Sequence, residues 1–485
     1  MRREFLLQVG FVVLVNLLIK PFYIFGIDRT VQNVVAAEQY GLFFAAFNFT
    51  YLFQILNDFG LQAFHNGQVA RSGRIVGGDL VNLIRVKFLL GLVYLLLVFV
   101  VAQLLDYPND YLMWIGMLAL NHGLNSWVLF FRSGISGMGY YFRDSLLSVM
   151  DKLLLILIAG LLLWGDLGQG PFQMVWLIWA QGLSLLLTSI VAGILVFRLS
   201  GSLSAPFNWH GVRQVLIESL PYALVVFLMT AYTRIDAVML ERMLAEGAVE
   251  AGRYAAGFRL LDAVNMLGFL FAGLLLPMFS RLLASGERPD ELAATGFRVL
   301  VSGAVILAAA VSVYSQPIMA GLYVDGDGYS AQLLTALIWS FPFFSGSYIY
   351  GTLLTAHRSL RAMNAVFVWG VLLNVGLNLW WIPSHKAVGA AWVTTLTQGL
   401  MFVAQYLLAH RLLRMPYDIR ILLRLGMLAG VVVGLGWLLE ESSWFFWELR
   451  FFLLLGMGLI FTFVLGLIKP ELLLGLLRSR SHATD

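Results

Sequence analysis

"VLVNLLIKPFYIFG", residues 13–26, sets a lysine and then a proline inside an otherwise apolar run. Hydrocarbon can neither solvate an ammonium group nor satisfy a carbonyl freed by proline. The whole chain repeats the apolar part of this pattern. Apolar residues make up 60% of the 485 and charged residues 12%, with a mean hydropathy of +0.84. A soluble domain carries about 25% charged residues. Apolar stretches of about 20 residues recur from end to end, each long enough to cross about 30 Å of hydrocarbon. These features predict an all-α polytopic membrane protein with no sizeable soluble domain. The pI of 9.2 does not imply nucleic acid, because the bases sit in short loops. With no cysteine, disulfides and thiolate chemistry are excluded. The N-terminal stretch lacks a small-residue cleavage site and reads as an uncleaved first span.

Fourteen transmembrane helices are expected, beginning with 5–27 and 40–64 and ending with 421–439 and 446–468. Joints such as "DYPND" (106–110), "SGERPDE" (285–291) and "DGDG" (325–328) carry turn signals. When basic residues are assigned to alternate sides, Arg29, Arg242, Arg253, Lys386 and Arg450 fall on one side. Nearly all the others, Lys87 included, fall on the opposite side, which the positive-inside rule makes cytoplasmic together with both termini. Three remain inside spans: Lys20, Arg234 and Arg259. The chain also resembles itself at a spacing of 212–214 residues. Tyr40 and Phe44 in "EQYGLFFAAF" match Tyr254 and Phe258 in "GRYAAGF", and Lys20 maps onto Arg234. Six spans per repeat give two pseudo-symmetric six-helix bundles of one orientation, 1–200 and 201–415. Residues 416–485 add helices 13 and 14 and a cytoplasmic tail.

"LLNVGLNLWWIPSHKAVGAAWVTTLTQ" (372–398) resembles the N-x-x-x-N…I-P-x-x-G-x-x-G-A-A-x-x-T segment of the multidrug/oligosaccharidyl-lipid/polysaccharide (MOP) exporters, with one more residue after the proline. "LFQILNDFGLQAF" (52–64) and the stretch 233–282 resemble the polysaccharide-transporter, Wzx-like branch. The resemblance implies a V-shaped, MATE-like pair of bundles around a cavity that opens alternately to each side. It implies a flippase that moves undecaprenyl-diphosphate-linked oligosaccharide from the cytoplasmic to the outer leaflet of the bacterial inner membrane. Lipid II flippases of the superfamily carry two extra helices, as expected here.

Such cargo combines hydrophilic sugars, an anionic diphosphate and a lipid tail. It calls for a wet cleft with fixed positive charge and an open seam. A cation within the bilayer costs roughly 2.5–3.5 kcal/mol on insertion scales, which an aqueous cavity and an anionic ligand would offset. Lys20, Arg234 and Arg259 are therefore the candidate diphosphate ligands, against the alternatives of snorkelling for Lys20, an outer-interface anchor for Arg234 and an Arg259–Asp262 bridge. Pro21 breaks the hydrogen-bond ladder beside Lys20 and would let the helix bend. Asp236, Asp262, Asn374 and Asn378 are candidate polar residues of the cavity or its gate, though asparagines equally serve helix–helix bonds. Asp58 and His65, around Gly60, suit helix capping.

No metal-ligand, nucleophile-elbow or phosphate-loop motif occurs, so a transporter without cofactors is expected rather than an enzyme. Glycan polymerase and glycosyltransferases are the anticipated partners, with no nucleic acid, and the chain is expected to act as a monomer. Two rivals belong to the same superfamily. A MATE-type drug exporter should have a buried carboxylate where span one has a lysine, and lipid II is the other candidate cargo. A membrane glycan polymerase should have a large outer loop, and none is long enough here.

Overall fold

The computed structural model describes residues 18–19, 21–165, 170–201, 209–441 and 446–468. Lys20 lies outside them. Among the described residues every regular element is helical. The reason is solvent: without water, each backbone N–H and C=O must be paired within its own segment. Ten of these helices are long and apolar enough to cross a membrane. The helix Gly77–Leu104 shows why they can face lipid. Leu89, Leu92, Leu96 and Phe99 form an exposed stripe at helical spacing, while Leu83, Val86, Tyr94 and Val98 are buried. A helix apolar on both faces is suited to bury one in protein and leave the other in hydrocarbon.

The expectation of fourteen spans meets ten here: the predicted span 111–131 lies in the 29-residue helix Asn109–Gly137, which is not apolar enough to count, and three other stretches account for the rest. The predicted span 5–27 falls largely outside the described residues. The predicted span 40–64 is divided among Arg29–Leu52, Ile55–Asp58 and Leu61–Ser72, because Phe59 (φ 46°) and Gly60 (φ 85°) are left-handed. The predicted spans 362–382 and 387–410 both fall within Leu360–Leu413, where two helices meet across a kink at Lys386 (φ 52°, ψ −137°). At 1.5 Å per residue its 54 residues come to roughly 80 Å, enough for two crossings of the hydrocarbon.

The chain divides into two compact units, Met1–Gly252 and Arg253–Asp485. This division by packing falls later than the repeat boundary at 200/201, because Trp209–Met243 packs on Arg29–Leu52 within the first unit. The core of that unit includes Leu61, Val86, Phe130, Phe131, Leu147 and Val196. In the second unit Ala256, Leu260, Ala308, Met319, Leu334 and Ile338 pack together. Asp327 caps Gly328–Ile338 by accepting from the Ser330 N–H at 2.8 Å, which holds its carboxyl below the usual carboxylate range. The pair Ile419–Glu440 and Trp447–Val464 pack on each other and on Asp290–Val313.

Candidate functional site

In the first unit the sites begin at Pro21, which is half-buried and helical. Proline supplies no N–H, and its ring crowds the carbonyl four residues earlier. The next turn, Tyr23–Asp28, is a π-helix, in which the Arg29 N–H bonds to the Ile24 carbonyl. Such single-turn insertions relieve a broken ladder and recur at functional positions. The segment ends on a buried carboxylate, Asp28, which accepts a 2.8 Å hydrogen bond from the buried Tyr40 hydroxyl. The π-turn thus begins two residues after the proline.

Arg234 is half-buried on Trp209–Met243, its guanidinium 5.4 Å from the centre of the Tyr51 ring. Tyr51 also meets Phe47 and His122 at 6.0 and 5.3 Å. A cation over an aromatic face gains about 0.5–2 kcal/mol, so these rings orient the arginine while part of it stays accessible. Asp236, two residues on, is 1% exposed. At that spacing the two side chains point to different helix faces.

In the second unit Arg259 and Asp262 are both half-buried on Gly247–Ala284. Asn374 and Asn378 are fully buried, and the Asn378 amide donates to the Asn374 side-chain oxygen at 3.2 Å. They form a polar turn inside the unit. Beyond the kink at Lys386, Thr394 bonds to the Tyr254 hydroxyl at 3.0 Å. Pro21, Arg234 and Asp236 thus belong to the first unit, and Arg259, Asp262, Asn374 and Asn378 to the second.

The charge count missed one site. Lys87 was grouped with the loop bases, yet it is 1% exposed on Gly77–Leu104. Its ammonium lies 3.5 Å from an Asp58 carboxylate oxygen and donates to the Asn57 carbonyl at 3.1 Å and the Ser126 hydroxyl at 2.7 Å. The rings of Trp127 and Phe130 stand at 5.6 and 5.4 Å. Asp58 also accepts from the Gln62 N–H at 3.2 Å, which caps Leu61–Ser72 across the left-handed break. One carboxylate therefore both caps a helix and neutralises a buried lysine. Removing one partner of a buried pair costs roughly 3–5 kcal/mol, while replacing both with apolar groups is often neutral. With Asp58 partly exposed, Asp58→Ala should lower stability by about 3 kcal/mol, the low end of that range. Asp58→Ala/Lys87→Met should recover most of the loss. Denaturation midpoints in detergent test this, and a double variant no more stable than the single one would contradict it.

His65 sits just beyond the same break. It is 2% exposed and stacked on Phe130 at 4.9 Å, and neither ring nitrogen has a hydrogen-bond partner among the described residues. Burial lowers its pKa to about 4. The unfolded chain binds this proton more readily, so the neutral ring's contribution is complete above pH 6.5 and lost as pH falls toward 4. The difference amounts to about 2 kcal/mol at pH 5. His65→Leu should remove that part of the acid sensitivity, read from stability at pH 7.5 and pH 5. An unchanged pH dependence would refute the assignment.

Helices of this length and apolar exterior define a multi-pass, all-helical membrane protein. The chain belongs to the family described as polysaccharide biosynthesis protein, whose match spans residues 8–283, and with it to the MOP superfamily. Among solved structures it is similar to the lipid II flippase MurJ in an inward closed conformation. The TM-score is 0.73 at 11% identity, over 97% of this chain and 99% of that one. It is similar to an inward-facing MATE multidrug-resistance transporter at TM-score 0.64 and 13% identity, over 81% and 94%. A MOP superfamily transporter from Pyrococcus furiosus, noted for the reverse polarity of its binding pocket, aligns at TM-score 0.57 and 15% identity, over 84% and 95%. No curated protein matches the chain.

Proposed function

We propose that this protein is a flippase that carries undecaprenyl-diphosphate-linked oligosaccharide from the cytoplasmic to the outer leaflet by alternating access. The observation that carries this reading is the extent of the likeness to a lipid flippase. A match over 97% of the chain is too long to leave out the pair Ile419–Glu440 and Trp447–Val464, whereas the MATE likeness stops at 81%. Two six-helix bundles, 1–200 and 201–415, would move the cargo, with Lys20, Arg234 and Arg259 holding the diphosphate. Arginine's planar fork can take two phosphate oxygens at once. Arg234, already oriented by Tyr51, is the firmest of the three. Pro21 would give the first helix its bend, and Asp236, Asp262, Asn374 and Asn378 would serve the cavity or its gate. Lipid II is the second reading, favoured by the identity of the flippase that the fold resembles.

Reconstitution into vesicles tests the proposal. Fluorescent undecaprenyl-diphosphate oligosaccharide is placed in both leaflets, and the fraction reached by an impermeant quencher or glycosidase is followed over time. The protein should make the inner-leaflet pool accessible, and a parallel run with lipid II separates the two cargos. Transport of a cationic dye with no movement of either lipid would defeat the reading.

A further inference from the structure

The second unit holds a partly open cavity of about 440 Å³ beside the appended helix pair, within the range of ligand pockets. Its charged lining is Asp290, Glu291, Asp418 and Arg298, and its floor is aromatic. Arg298 stands 3.7 Å from Asp418. Arg288 holds one Asp290 oxygen at 2.6 Å, while the other, Oδ1, is buried without a hydrogen-bond partner among the described residues. His410 also lines the cavity and is 4% exposed. Its Nδ1 lies 2.8 Å from the Tyr406 carbonyl, and a carbonyl only accepts, so Nδ1 is the donor. In the neutral ring Nε2 is then an acceptor, and it has no hydrogen-bond partner among the described residues. The site therefore combines carboxylate and imidazole acceptors with a guanidinium.

We propose that this cavity binds the headgroup of a zwitterionic phospholipid with a primary ammonium group, phosphatidylethanolamine by chemistry. The ammonium's three N–H donors match the Asp290 and Glu291 carboxylates and His410 Nε2. Its charge suits the faces of Tyr350 and Tyr406. The phosphate lies against Arg298. Two features point to a lipid rather than a soluble amine. Val299 and Leu422 line the cavity and are both 37% exposed, and Ile419 and Leu423 beside Leu422 are more exposed still. These leave an apolar path for acyl chains. Three carboxylates against two arginines, Arg288 and Arg298, disfavour an anionic headgroup, and a choline headgroup has no N–H for the waiting acceptors.

The full-length protein, purified in detergent, is incubated with equal amounts of palmitoyl-oleoyl phosphatidylethanolamine, phosphatidylcholine and phosphatidylglycerol, and the retained lipid is measured by native mass spectrometry. Phosphatidylethanolamine should be retained at least tenfold over phosphatidylglycerol and severalfold over phosphatidylcholine. Asp290→Asn should reduce that preference to below threefold, whereas Arg298→Gln should lower retention of all three lipids severalfold, with Arg298→Lys keeping part of it. Equal retention of the three lipids by the unaltered protein, or a preference for phosphatidylglycerol, overturns the proposal whether or not the variants fold. So does a preference that survives Asp290→Asn, or retention of all three lipids that Arg298→Gln leaves unchanged.

Discussion

Glutamine in place of Arg234 is expected to slow translocation of the lipid-linked glycan by about ten- to a hundredfold while leaving membrane insertion intact. A hydrogen bond to a charged group is worth about 1.5–3 kcal/mol, and each 1.4 kcal/mol is tenfold. The substitution also removes the contact with the Tyr51 ring, a smaller loss of about 0.5–2 kcal/mol. Lysine at 234 should be intermediate, because it keeps the charge and loses the two-pronged geometry. Lys20→Gln should behave like Arg234→Gln, and Lys20→Arg should keep part of the rate. Reading the vesicle assay alongside a protease-accessibility test of insertion separates transport from folding. Full transport by the correctly inserted Lys20→Gln/Arg234→Gln double variant would end the diphosphate role for both residues.

The second large effect concerns backbone contact in the first unit. Gly41 on Arg29–Leu52 and Gly252 on the helix that starts at Gly247 let two backbones touch. A Cβ on Gly41 would strike the Ala248 carbonyl and come within 2.6 Å of the Gly252 nitrogen. One on Gly252 would strike the Ala37 carbonyl, with Ala37 Cα at 3.1 Å. These are main-chain atoms and cannot swing aside. The same crossing is tied by the Gln32 amide, which donates to the Gly252 carbonyl at 3.0 Å. Small residues at such crossings are how membrane helices gain dispersion contacts that lipid does not supply. Overpacking costs about 1–3 kcal/mol where side chains can adjust, occasionally more. Against rigid backbone the larger values apply, so Gly41→Leu and Gly252→Leu should each abolish recovery of monodisperse protein. Gly116→Ala is the control. A Cβ there meets nothing within 4 Å, and alanine favours helix by about 1 kcal/mol over glycine. Normal recovery and thermal midpoint for Gly41→Leu would refute the close-approach argument.

The first prediction uses a residue that the sequence isolates by elimination, Arg234, whereas the roles of Gly41 and Gly252 come from the structure alone. The surroundings of Arg234 were not visible either. Lys87 shows the limit. In "LIRVKFLL" it has the look of a base near a helix end, and a count by loops places it there. In the structure its helix begins at Gly77, which draws Lys87 inside, and Asp58 reaches it from a segment whose helix breaks at Phe59 and Gly60. A glycine can announce a break, but not that the preceding phenylalanine also turns left-handed or which carboxylate then swings inward. The asparagines at 374 and 378 were legible as a helical pair at i, i+4, and only packing decided that they are buried and bonded to each other. Asp290, Asp418 and His410 come from separate stretches, and no periodicity links them across a cavity.

Composition and hydrophobic run length determined the solvent and, through it, the all-helical architecture. In hydrocarbon a backbone has few other ways to satisfy its polar groups, and that requirement is local to each segment. Which ions meet, which rings orient Arg234 and which acceptors stay unused depend on contacts between segments dozens of residues apart. Those contacts are set by how helices pack and where they break. They are properties of the folded chain, and neighbouring letters do not encode them.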